Sequence, residues 1–219
     1  MRTIKAALVV LDYNLYPRNN VDQHNVRAIM DALEAGEEMP PIIIDRHTKK
    51  AVDGFHRTLA KLKRDPDSEI EVIEKTYKNE SEMFLDAMRY NSTHGARLDP
   101  CDRVRCTIIA EKLSIPLAAV AGALHVPAEK LGALKSDRTA TTAGGLSIPL
   151  KRTIQHMAGQ KLTKAQNAAN DKLSGMNQVF YVNQVILLIE SNLLNKEDEK
   201  LLDALRHLSE LLEGLLTAT

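Results

Sequence analysis

The chain has 219 residues, 44% of them hydrophobic and 26% charged, with 29 basic side chains against 29 acidic ones. This is the make-up of one large or two to three small globular domains, and it excludes a disordered, collagen-like or disulfide-stapled chain. Zero net charge, with 4% aromatics and no tryptophan, rules out a global field that draws the chain to nucleic acid or membrane and argues against a base-stacking platform.

Residues 4–11 are apolar and partly β-branched, which predicts a first strand. Residues 13–20 form a loop around Pro17. Asp22 caps a helix in which Val26, Ile29, Met30 and Leu33 share a face, and Gly36 follows where a C′ glycine belongs. Residues 41–45 read as a short buried strand. Residues 51–53 follow as a second strand that Gly54 breaks. Residues 55–64 are helical, with Leu59 and Leu62 inward, residues 70–75 alternate like a strand, and residues 80–90 form a helix with Met83, Phe84, Ala87 and Met88 on one side. Strands mixed with helices over this length indicate a compact domain over residues 1–97.

Beyond residue 97 the strand signals stop. Helices are expected at 101–113, 117–124 and 128–135, so that 98–137 form a helical domain. Residues 136–147 are small and polar, a hinge or linker by composition. Short helices are expected at 149–157 and 163–173, and a helical hairpin over 177–192 and 196–216, with a leucine stripe from Leu201 to Leu215. Charge is uneven. Residues 138–175 carry six basic side chains and one acidic, whereas 176–219 carry three and seven. The basic block is either a local electrostatic footprint or a solvated linker with ordinary lysines.

The most informative stretch is Val52-Asp53-Gly54-Phe55-His56-Arg57-Thr58. A strand ends in glycine, with His and Arg at the mouth of a helix. Glycine lets the backbone turn and come close, free N–H groups of the first helical turn point outward, and the dipole favours an anion. Arg57 suits bidentate phosphate contact. The same residues also fit an ordinary strand–turn–helix with an exposed His and Arg.

In context this segment resembles the ParB/sulfiredoxin superfamily, whose members place Gly-x-Arg-Arg or Gly-Cys-His-Arg in such a turn. Tyr16-Pro17-Arg18-Asn19 before a helix, Pro40-Pro41-Ile42-Ile43-Ile44, and Asn91-Ser92-Thr93-His94-Gly95-Ala96-Arg97-Leu98 are similar to further elements of that family in the same order. The form with Asn and His-Gly resembles ParB-like proteins of phages and other mobile elements. The resemblance covers roughly residues 4–135. It implies an α+β ParB-like domain that binds a nucleoside triphosphate, CTP or ATP, with or without Mg2+. Gly54, Phe55, His56 and Arg57 would grip phosphates, Asn91, His94 and Gly95 would close over them, and Arg18 would approach the base and ribose. Phe55 stands where sulfiredoxins carry their cysteine nucleophile, so sulfinate reduction is excluded. Tyr90 stands where CTP-binding members carry an acid. No metal ligand is therefore assigned, and Asp53 and His56 are the only candidates for acid–base chemistry.

Residues 117–131 resemble a helix-turn-helix, which ParB proteins carry directly after the nucleotide domain. Val120 and Ala121 allow close approach of the helices, and His125 occupies a turn position that usually holds glycine because φ is positive there. A plain helical hairpin is the alternative. The candidate DNA contacts are Lys130, Lys135, Arg138, Lys151 and Arg152, the last ones supplying phosphate contacts. The 176–219 hairpin could pair two copies into a homodimer.

Other features point nowhere special. No zinc spacing, no G-x₄-G-K-[ST] loop and no nucleophile elbow occurs, and Cys101 and Cys106 read as ordinary thiols. The longest apolar runs fall far short of the roughly 20 residues that span a bilayer, so no membrane partner is expected. The start shows no secretory signal, and with two cysteines a cytoplasmic setting is expected. The sequence reading is a DNA-binding protein of duplex DNA, gated by a triphosphate. The alternatives are an enzyme on the same fold, as NTPase, phosphotransferase or nuclease, and a DNA-binding regulator with a vestigial pocket.

Overall fold

The computed structural model describes residues 2–93 and 97–217. By its contacts the chain divides into two units, Met1–Ser174 and Gly175–Thr219.

In the first unit, short runs of branched residues give strands β1 (Arg2–Lys5), β2 (Ile42–Asp45), β3 (Ala51–Asp53) and β4 (Glu69–Lys75). They form one mixed sheet in the order β1-β4-β2-β3, with β2 and β4 parallel and the outer pairs antiparallel. Side-chain alternation splits β2 between two clusters. Ile42 and Ile44 join Ile4, Ile70 and Val72, whereas Ile43 joins Val52 and the helical residues Phe84 and Met88. The strand expected over residues 4–11 is shorter. After Lys5 the chain makes a 3₁₀ turn at Ala6–Leu8, because the N–H groups of Ala6 and Ala7 go to the carbonyls of Ser68 and Pro66.

Helix α1 (Gln23–Glu34) begins where expected, with the Asp22 side chain accepting from the N–H groups of His24 and Asn25. Helix α2 (Phe55–Arg64) buries Phe55, Thr58 and Ala60; Leu62 is half-buried against the Ile42 cluster as expected, and Leu59 is half-buried outside the core clusters. Helix α3 (Glu80–Thr93) buries Met83, Phe84, Ala87 and Met88 as read from the sequence.

Helices α4 (Pro100–Lys112), α5 (Leu117–Leu124) and α6 (Ala128–Asp137) follow. Their Cys106, Ile109, Val120, Leu124 and Leu131 lie in the same cluster as Ile43, Val52 and Phe84. One apolar core therefore runs from the sheet through α3 into the three helices, and no joint separates 1–97 from 98–137.

The segment expected as a linker is ordered as a hairpin. Strands β5 (Thr139–Thr141) and β6 (Ser147–Pro149) pair antiparallel. Ala140, Leu150 and Leu162 make a small core beneath them, Arg152–Met157 is a 3₁₀ segment, and α7 (Lys164–Lys172) closes the unit. Buried Asn170 fastens α7 to the hairpin, donating to Pro149 O (3.0 Å) and accepting from the Lys151 N–H (3.0 Å).

The second unit is the expected hairpin of α8 (Gln178–Glu190) and α9 (Glu199–Thr217), and neither helix buries a single residue. No helix among the described residues is long and apolar enough to cross a membrane.

Candidate functional site

The site grows from the strand–glycine–helix turn. Gly54 has φ +88, and a Cβ there would lie 2.3 Å from Ile42 Cγ2 and 2.8 Å from Ile42 Cβ. Only glycine fits both the left-handed backbone and the contact with β2. Thr58 N–H makes the first intrahelical bond, to Gly54 O at 2.8 Å. The N–H groups of Phe55, His56 and Arg57 thus have no acceptor inside the helix, at its positive end.

Each side chain of the turn has a definite partner. Arg57 donates to Pro40 O (2.6 Å), Pro41 O (3.0 Å) and the Asp53 carboxylate (2.8 Å). Phe55 stacks on Tyr16, with centroids 4.1 Å apart, and meets Tyr13 edge-on. His56 Nε2 accepts from the Asp22 N–H and contacts the Tyr16 hydroxyl, both at 3.2 Å. Burial, and then the Arg18 charge, hold the His56 pKa below its ordinary value, so the imidazole is neutral at pH 7. Burial also pushes the Tyr16 hydroxyl well above its usual range.

These groups face an open cleft of about 580 Å³, within the range of small-molecule sites. Gly54, Phe55, His56 and Arg57 form one wall. Arg18, Asp22 and Asn25 also line the cleft, with the apolar Ile29, Met39, Pro40 and Pro41, and Asn91 of α3. Arg18, the 54–57 turn and Asn91 therefore meet in one cavity, as the sequence reading required. His94 and Gly95 lie outside the described residues. Asn91 donates to its own helix at Ala87 O (2.9 Å). Asp53, a candidate base, is held in its ion pair with Arg57, and His56 is held between Tyr16 and Asp22. Arg57 and His56 therefore build the cleft wall, whereas the sequence reading had both side chains open to a ligand. The formal charges of the lining cancel, Arg18 and Arg57 against Asp22 and Asp53. Among the described residues no group of three His, Cys, Asp or Glu side chains converges to hold a metal.

Sequence reasoning missed how the loop carrying Arg18 is held. Helix α4 grips it along its length. Arg105 donates to Tyr13 O (2.7 Å) and Tyr16 O (3.1 Å), Asp102 accepts from Asn19 N–H (2.7 Å) and lies 3.8 Å from Arg18, and the Cys106 thiol donates to Pro17 O (3.4 Å). Burial raises the Asp102 pKa and pushes the Cys101 thiol up to about 12, with Cys106 higher still. Both thiols are buried and inert.

The α5–turn–α6 unit has the backbone that the sequence implied. His125 caps α5 in the left-handed region (φ 52, ψ 44), and the Val126 N–H returns to Ala121 O. Of the candidate DNA contacts, Lys130 and Arg152 are exposed. Arg138 is half-buried where α6 ends, and Lys135 is paired with Glu111. Contrary to expectation, Lys151 is not open to DNA: its ammonium donates to the carbonyls of Asp171 and Leu173, clasping the end of α7. This is the favourable place for a cation on a helix, and it takes Lys151 out of the set of free phosphate contacts.

The class that these features define is an α+β domain with a glycine-led helix N-terminus, fused through one core to a helical bundle. No family model matches the sequence, and no curated protein does. Among solved structures, the chain is similar to the C-terminally truncated chromosome-partitioning protein ParB from Caulobacter crescentus, complexed to the centromeric parS site. Identity is 10% and the TM-score 0.44, over 62% of this chain and 71% of that one. It is also similar to two structures of a pNOB8-like ParB N-domain. One has 13% identity and TM-score 0.42, over 68% of this chain and 52% of that one. The other has 14% identity and TM-score 0.38, over 68% and 56%. The chain thus covers little more than half of the pNOB8-like chains. Likeness this distant carries nothing about ligand or partner.

Proposed function

We propose that this protein is a ParB-like binder of duplex DNA whose cleft takes a nucleoside triphosphate. One observation carries the reading: Arg18, the free N–H groups of the 54–57 turn and Asn91, from three separate stretches of chain, face one cavity of about 580 Å³. A helix N-terminus led by glycine suits a polyphosphate, and the apolar side chains of Ile29, Met39 and Pro40 suit a base. CTP and ATP are the candidates, and because the lining charges cancel, Mg2+ bound to the triphosphate would supply the missing positive charge.

Duplex DNA is assigned to α5 and α6, read as a helix-turn-helix, with Lys130 on the second helix and Arg152 nearby in the chain. The connection to the cleft is α4. It packs against α6 and also holds the Arg18 loop through Asp102, Arg105 and Cys106. A ligand that orders Arg18 therefore biases α4 and, through it, the DNA-facing pair. A swing of one domain against another is not needed, since sheet and helices share a core. The α8–α9 hairpin, with its uncovered leucines, pairs two copies.

A second reading has an observation of its own. Because Arg57 is spent on Asp53 and two carbonyls, the pocket could be vestigial in a DNA-binding regulator. Fluorescence anisotropy with a labelled duplex decides between them. The first reading expects affinity to change at least several-fold on adding CTP or ATP with Mg2+. Tight duplex binding that ignores every triphosphate supports the vestigial pocket, and the absence of duplex binding overturns both.

A further inference from the structure

A cationic recess that shares no lining residue with the cleft lies where α3, α4 and α5 meet. Ser92 near the end of α3, Arg97 and Leu98 in the connection to α4, Arg103 on α4, and Leu124 and His125 at the end of α5 line a space of about 220 Å³. This is below the roughly 300 Å³ of a typical small-molecule site. Leu98 and Leu124 are buried, whereas Arg97 and His125 are exposed at its mouth.

Its two arginines form no ion pair among the described residues, a state they share with Arg27, Arg46, Arg64, Arg138 and Arg152. Arg2, Arg18, Arg57, Arg89 and Arg206 each have a carboxylate partner, and Arg105 has two carbonyls. Arg97 and Arg103 have no carboxylate within ion-pair distance among the described residues. The acids nearest in sequence are committed elsewhere. Asp99 accepts from the Asp102 N–H, and Asp102 accepts from the N–H groups of Asp99 and Asn19. The recess is also fastened in place, Ser92 Oγ donating to Ala123 O at 2.8 Å.

His125 adds an independent observation. It holds a left-handed turn (φ 52), as Lys49, Ser114 and Asn192 do elsewhere, and its side chain lines the recess. The turn lies beside the start of α6. In a helix-turn-helix that end of the second helix faces the bases while the first helix crosses the phosphate backbone.

We propose that Arg97, Arg103 and His125 form a phosphate pocket that takes a backbone phosphate of duplex DNA beside α6. The assignment rests on reading α5 and α6 as DNA-facing. It is independent of the triphosphate cleft.

The test measures affinity of the full chain for a random-sequence duplex by anisotropy between about 50 and 200 mM salt, where each lost phosphate contact lowers the log–log slope by about 0.9. Arg97→Gln and Arg103→Gln should each weaken duplex binding several-fold and reduce the slope by about one, with triphosphate affinity unchanged. Arg103→Lys should recover part of the loss. Arg27→Gln, an exposed cation on α1, should change neither. Unfolding midpoints equal to wild type show that the variants fold. If duplex binds with the same slope in both variants, the pocket assignment falls and the DNA reading stands. Loss of triphosphate affinity with an unchanged duplex slope gives the recess to a nucleotide phosphate and overturns the backbone assignment. A wild-type chain that binds no duplex at any salt overturns both.

Discussion

The two units of this chain differ in what their helices have to pack against. In the first, α3 through α6 bury Phe84, Met88, Val104 and Leu131 almost completely. In the second, helices with equally clear local signals bury nothing. Asn177 caps α8 through the Phe180 N–H (2.7 Å), yet Val182 is 57% exposed, Leu187 53% and Leu215 64%. A helix as apolar on all sides as α8 is stable only when covered, and an exposed patch on this scale marks an interaction surface. Local sequence can specify a helix, but only a second surface specifies its burial. For α8 and α9 we propose that this surface is another copy of the chain.

The sharpest way to break this contrast is to charge the second unit. Leu212→Lys combined with Leu215→Lys should turn a sedimenting dimer into a monomer while leaving the unfolding midpoint of the first unit in place. A monomeric wild-type chain would contradict the assignment. Next in size, Gly54→Val adds a Cβ against Ile42 and a branched residue at φ +88. Together these should cost roughly 3 kcal/mol in denaturant unfolding of the first unit, with dimerisation untouched. Arg105→Ala leaves the carbonyls of Tyr13 and Tyr16 without their charged donor and should cost about 2 kcal/mol. It should also lower triphosphate affinity without touching the ligand, because Arg18 rides on that loop.

The smallest effect is a pH dependence confined to the first unit. His56 titrates below its ordinary 6.5 when folded, so the unfolded chain binds the extra proton first. The stability that the neutral imidazole contributes is complete above pH 6.5. It declines as pH falls toward the folded-state value, as protonation removes the acceptor for the Asp22 N–H. His56→Asn should flatten the acid side of the stability profile below about pH 6.5. An unchanged profile would show that His56 is not held neutral.

How far the sequence could be read follows the distance over which each feature is decided. Gly54 before a helix, Asp22 as a cap, and His125 at a left-handed turn were legible because one to four residues settle them. The two faces of α3 were legible from periodicity. The hairpin at 139–149 was not. Its residues are small, and its core depends on Leu150 and Leu162, which no local pattern ties to Ala140. The run over residues 4–11 looked like one strand because nothing nearby announces that Ser68 and Pro66 take the N–H groups of Ala6 and Ala7.

The site divides in the same way. The family-like motifs located Arg18, the 54–57 turn and Asn91, which do share a cleft. The grip of α4 on the Arg18 loop joins residues more than 80 positions apart, as with Asn19 and Asp102, and no spacing rule reaches that far. Lys151 counted as one cation in a basic block until its carbonyl acceptors, some 20 positions on, were in view. The pairing of Arg57 with Asp53 joins the end of β3 to the first turn of α2 across the left-handed Gly54, so the helical i, i+4 rule does not announce it.

The most direct test of the cleft is a thermal-shift panel of the full chain with CTP, ATP, GTP and UTP, each with and without Mg2+. A ligand at a hundredfold excess over its dissociation constant stabilises the folded state by about 2.7 kcal/mol. At least one triphosphate should therefore raise the midpoint by several degrees, and Arg18→Gln should abolish the rise. Midpoints unmoved by all four triphosphates, with and without the metal, would contradict the account.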